Sequence, residues 1–154
     1  MIIDQNVFQT HRQLFEFSCI PMSVEFVLKL LGRVPPDYFE LQKLWGNNAF
    51  GSFVEFNGKD LFGVSFEQQY ALPRDDNFPL EELFQTIEHE LKRGNYVIIS
   101  LQVEGGWHMY VIHDQLPNGE FLAITKGQPR ELVDNVLEIV KSMNGTDILI
   151  CRAS

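Results

Sequence analysis

The sequence predicts an α+β domain, with helices first and a mostly antiparallel sheet after them. Three observations carry that reading. A nearly all-apolar run from Cys19 to Leu31 stops at Gly32. A helical repeat of apolar residues runs from Leu80 to Leu91. Beyond Gly94, short apolar stretches alternate with turn signals as far as Arg152. The chain has 154 residues, 45% of them hydrophobic, which suits one domain over 1–154 with a substantial core.

Residues Met1 to Phe17 read as an irregular arm. The run Cys19 to Leu31 reads as a buried helix, with Ser18 at its N-cap, Pro21 in its first turn and Gly32 just past its end. Arg33 to Asp37 reads as a turn, and Asp37 as the cap of a short helix reaching Trp45. Gly46 to Ser52 is rich in Gly and Asn; it reads as a connector, or as a wall of a substrate groove. Asn57-Gly58 is a turn signal. Val64 to Tyr70 reads as an edge strand.

Pro79 introduces an amphipathic helix whose apolar positions are Leu80, Leu83, Phe84, Ile87 and Leu91. Glu81 and Glu82 lie in its first turn, Lys92 and Arg93 in its last, and Gly94 stops it. Tyr96 to Val103 reads as a core strand. Gly105-Gly106 reads as a turn, Trp107 to Ile112 as a second strand, and Leu116 to Gly119 as a hairpin turn. Glu120 to Thr125 is a third strand. The apolar residues from Leu132 to Val140 mark a late helix, and Asp147 to Arg152 a last strand.

Composition narrows the function. The balance of 12 basic to 21 acidic residues gives a net charge of −9, which argues against a nucleic-acid partner. Two cysteines are too few for a disulfide framework. No apolar run approaches the ~20 residues needed to span a bilayer. The N-terminal residues lack a basic segment followed by an apolar one. The expected compartment is therefore cytoplasmic, without membrane insertion, metal or cofactor.

Cys19 draws attention by its place at the head of the buried helix. A free cysteine is often only a small core hydrophobe. At a helix N-terminus, however, the dipole favours the thiolate and is expected to lower the thiol pKa. Gln13 lies six residues upstream. A glutamine at that distance can bring its amide beside the sulfur and, with the backbone N–H of Cys19, form an oxyanion hole.

This stretch, Gln13 through Cys19 to Gly32, resembles the bacteriocin-processing cysteine peptidases, papain-like domains that cut double-glycine leaders. Ser18 and Ile20 depart from that pattern, where Asp and Gly are usual. The resemblance implies a papain-like fold and a thiol peptidase acting on a peptide or protein. It also reaches Leu91 to Ser100 and Gly106 to Ile112, where a helix, a Gly, an apolar strand, a second Gly and a His follow one another. His108 then takes the place of the general base, at the start of a strand whose residues 108, 110 and 112 share one face. His11, His89 and His113 have no such setting. The resemblance also implies an Asp or Asn that orients the imidazole; Thr125 stands nearest that position here, with only a hydroxyl.

Two readings follow. The first is a thiol hydrolase, most simply a cysteine peptidase, or an acyltransferase on the same fold. The second is a module of that fold that binds a peptide without cutting it, as the replaced orienter and the bulk of Ile20 would suit.

Overall fold

Helix α2 (Cys19–Leu30) is the central buried helix. Ile20 and every residue from Pro21 to Lys29 are buried, so apolar side chains are needed nearly all round it. Its end is a Schellman turn: Arg33 N–H donates to the Leu28 carbonyl, Gly32 N–H to that of Lys29, and Gly32 has φ +68°. Only glycine takes that conformation without strain. The computed structural model describes residues 5–103, 106–125 and 131–153. The turn residue Gly105 lies outside them.

Before α2 comes a short helix α1 (Gln5–Thr10), where an irregular arm was expected. Tertiary contact explains it. Val7 and Phe8 are buried against α2, and His11, fully buried, stacks on Phe26 at 5.3 Å. The His11 Nε2 lies 2.8 Å from the Met22 carbonyl, and its Nδ1 lies 2.7 Å from Lys29 Nζ. Helix α3 (Glu40–Trp45) follows α2. Asp37 does not cap it. The buried Glu25 carboxylate of α2 accepts from the Leu41 and Gln42 N–H groups instead, a cap supplied from across the core.

Seven strands form one antiparallel sheet among the described residues. They are β1 (Asp60–Leu61), β2 (Val64–Gln69), β3 (Tyr96–Val103), β4 (Gly106–Gln115), β5 (Phe121–Thr125), β6 (Glu131–Val133) and β7 (Ile148–Ala153). Their order is β1-β2-β7-β3-β4-β5-β6. Two helices lie between strands in the chain: α4 (Leu80–Lys92) and α5 (Val136–Ser142). The observed class is thus α+β. Strand β2 is interior rather than an edge, because β7 pairs with it from Ala153 opposite Val64 to Ile148 opposite Gln69. Leu132 and Val133 belong to β6, so the late helix starts only at Val136.

Both sheet faces are covered, which explains the near-continuous apolar runs of β3 and β7. On one face Ile98, Met109, Val111, Ile124 and Leu149 pack toward α2. On the other Val97, Ile99, Leu101, Tyr110 and Ile112 pack toward α4 and α5 through Leu83, Ile87, Val136 and Val140. Phe26 and Leu28 are fully buried; each contributes roughly 1.5–3 kcal/mol by leaving water. Arg152 of β7 joins the sheet to α4, reaching Glu67 at 2.6 Å and Glu90 at 3.1 Å. No described helix is long and apolar enough to cross a membrane.

Candidate active-site cleft

The eight residues ahead of α2 have no regular structure, so their backbone groups find partners elsewhere. Trp45 Nε1 donates to the carbonyls of Phe17 and Asn48, and Phe17 N–H donates to Asn47 Oδ1. These bonds tie the approach to Cys19 against the segment 46–52. Between them opens a cleft of about 570 Å³. Asn48, Ala49, Gly51 and Ser52 form one wall, and Glu16 and Phe17 flank it. The ends of β3 and β4 contribute Ser100, Trp107, His108 and Met109.

Cys19 and His108 both line this cleft. Cys19 is half-buried, whereas the second cysteine, Cys151, is sealed inside the core. The backbone amides of Cys19, Met109 and Ile20 pull the Cys19 thiol pKa down. Each favours the thiolate, but burial outweighs them and pushes the thiol above its ordinary value. The lowered pKa expected from the helix dipole is therefore not found. Desolvation of the sulfur is the stronger effect.

His108 pairs with Leu101 across β3 and β4. Strand alternation sets it with Tyr110 and Ile112, the residues that pack toward α4 and α5. Cys19 belongs to the α2 side, where Met109 and Val111 point. The two candidates thus reach one cleft from different sides of the sheet. The shared face of 108, 110 and 112 was legible in the sequence. Which face α2 covers was not.

Gln13 is not among the residues that line the cleft. Its Nε2 donates to the carbonyls of Phe15 at 2.7 Å and Glu16 at 2.9 Å, which uses both amide N–H bonds inside its own loop. Ser18 occupies the N-cap position of α2, yet its hydroxyl makes no cap bond to the helix. It accepts from Phe15 N–H and donates to Gln42 Oε1. Thr125 ends β5 and pairs with Glu131 of β6, outside the cleft lining.

Three cleft residues had no local signal. Arg74 comes from the polar linker before α4, and its guanidinium sits 4.4 Å from the Trp107 ring centroid. Ser100 faces the cleft because β3 and β4 set it opposite Met109. Asp147 lies just before β7, and its Oδ2 accepts from Gln68 Nε2 at 3.1 Å. Among the described residues no group of three or more His, Cys, Asp or Glu is placed to hold a metal ion. In comparisons with known proteins, no family model and no curated protein matches the chain.

Proposed function

We propose that this protein is a thiol-dependent hydrolase of papain-like fold, a cysteine peptidase that cuts a peptide or amide bond with Cys19 as nucleophile and His108 as base. One observation carries the reading. The accessible cysteine at the head of the central helix opens into the same cleft as His108. In the reaction, His108 takes the Cys19 proton and the sulfur adds to the substrate carbonyl. The Cys19 N–H holds the oxyanion. His108 returns the proton to the leaving amine, and water releases the acyl group from sulfur.

The unliganded protein rests with a neutral thiol. In this reading the His108 imidazole has to swing to the Cys19 side of the cleft as substrate seats, since the two start on different sides of the sheet. Gln13 joins the oxyanion site only after releasing Phe15 and Glu16, and no step runs through Thr125. Turnover of a mixed peptide pool, followed by mass spectrometry in the wild type, Cys19→Ala and His108→Ala, tests the reading. Loss of cleavage in both variants supports it. Cleavage that survives Cys19→Ala sinks it.

A second reading, a peptide-binding module of the same fold, is favoured by the burial-raised thiol and by the committed Gln13 amide. A wild type that binds peptides in the cleft and cuts none of them would select it.

A further inference from the structure

Gln42 is completely buried in α3, although neither composition nor motif marks it. A glutamine amide can accept two hydrogen bonds and donate two. This one makes all four. Its Oε1 accepts from Leu14 N–H at 2.7 Å and from the Ser18 hydroxyl at 2.8 Å. Its Nε2 donates to the Arg12 carbonyl at 2.9 Å and to Glu25 Oε1 at 2.8 Å. The orientation of the amide is fixed by chemistry, since a backbone N–H can only donate and a backbone carbonyl can only accept.

The partners share a purpose. Arg12, Leu14 and Ser18 span the irregular loop that carries Gln13 and delivers the chain to Cys19. The fourth partner, Glu25, is fixed on α2 and also accepts from the backbone N–H groups of Leu41 and Gln42. A single side chain therefore ties both ends of the loop to the helix that Cys19 heads. Ser18 strengthens the arrangement. Its hydroxyl accepts from Phe15 N–H at 3.0 Å, so the hold on Ser18 is passed into the middle of the loop.

We infer that Gln42 is a positioning residue for Cys19, setting how deeply the sulfur is buried. The inference rests on the proposed role of Cys19 as nucleophile. Gln42 touches neither substrate nor sulfur. It acts through Ser18 and the loop, and without it the approach to α2 would loosen and water would reach the thiol.

The test uses iodoacetamide on the full chain, reading the Cys19-containing peptide by mass spectrometry across a pH series. Gln42→Met keeps the length of the side chain and removes all four bonds. With the sulfur better solvated, its titration moves down by about half a unit, and alkylation near pH ~8 becomes about threefold faster. Hydrogen exchange at the Leu14 amide speeds up in the same variant. Ile87→Val, which loosens the core on the opposite face of the sheet, serves as the control and leaves the Cys19 titration at its wild-type position. A Gln42→Met titration that coincides with the wild type overturns the inference.

If Gln42→Met does not fold, Ser18→Ala removes one of the four partners. A smaller shift in the same direction supports the inference, and no shift overturns it. The two proposals fail separately. Faster alkylation in Gln42→Met alongside a wild type that cleaves no peptide retains the positioning role and removes the hydrolase reading. Cleavage that depends on Cys19, with an unmoved Gln42→Met titration, does the reverse.

Discussion

Cys19 packs against the core cluster that contains Met109, one residue past His108 in β4, and both line the cleft. Burial of the sulfur raises the thiol pKa. In the free protein, the alkylation rate of Cys19 should reach half its maximum above pH ~8.5, the ordinary free-thiol value. His108→Ala should leave that midpoint in place, because burial rather than the imidazole raises it. A midpoint well below the ordinary value, lost on removal of His108, would instead reveal a standing thiolate–imidazolium pair.

Lys29 offers a second pH-dependent signal. Its side chain is buried between His11 and Phe39, with Nζ 3.7 Å from the Phe39 ring centroid, and burial lowers its pKa to about 8. The unfolded chain holds this proton up to about pH 10.4. Between the two values the folded state has already released it, so stability rises with pH across that window. Urea unfolding of the wild type and Lys29→Met at about pH 7 and about pH 10 checks the sign. The midpoint difference should move in favour of the wild type at the higher pH. Parallel midpoints would refute it.

Glu25 accepts three hydrogen bonds from α3. Glu25→Gln turns one acceptor oxygen toward donors as an amide N–H₂. It should cost about 1–3 kcal/mol of stability, the price of a buried donor left facing donors. Chemical denaturation at neutral pH measures it, and a loss below about 0.5 kcal/mol would mean that Glu25 does not hold α3.

Gly51 packs so closely on Trp45 that a Cβ there would overlap the indole ring. Trp45 in turn stacks on Phe56 at 6.0 Å. Gly51→Ala should therefore push the 46–52 wall away from Trp45, at a cost of about 1–3 kcal/mol, as for other overpacked sites. Indole fluorescence of a Trp107→Phe background isolates Trp45. An unchanged spectrum and stability would show that the wall adapts freely.

The Arg74 guanidinium over Trp107 is a weaker contact, worth about 0.5–1 kcal/mol at an exposed site. Arg74→Ala should leave global stability nearly intact and raise acrylamide quenching of Trp107, measured in a Trp45→Phe background. Quenching equal to that of the parent would show that Arg74 does not shield the ring.

How much was legible depended on how local the cause was. Strand β3 runs from Tyr96 to Val103 as the sequence predicts, because Gly94 stops α4 and both faces of the strand demand apolar residues. The ends of α2 and α4 were readable for the same reason. Helix α1 was not, since its six residues are held by Val7, Phe8 and His11 packing on α2 rather than by any periodic pattern. Leu132 and Val133 of β6 looked like the start of a helix because only pairing with β5 makes them a strand. At the candidate site, the position of Cys19 at a helix head was local information. The side of the sheet on which His108 lies, the engagement of Gln13 and the part played by Gln42 all depend on contacts across the chain.

The placement of β7 has a consequence for how the protein is made. The strand is translated after the other six, yet it sits between β2 and β3 and pairs with both. Until it emerges from the ribosome, the β1–β2 hairpin has no link to the rest of the sheet, and two strand edges lie bare side by side. Such edges invite pairing with other chains. Closure joins Ser65 to Arg152 and Tyr96 to Cys151, contacts distant in sequence that slow folding. The nascent chain should therefore depend on shielding by a chaperone until β7 arrives, and a ribosome stalled short of Ile148 should leave an aggregation-prone intermediate.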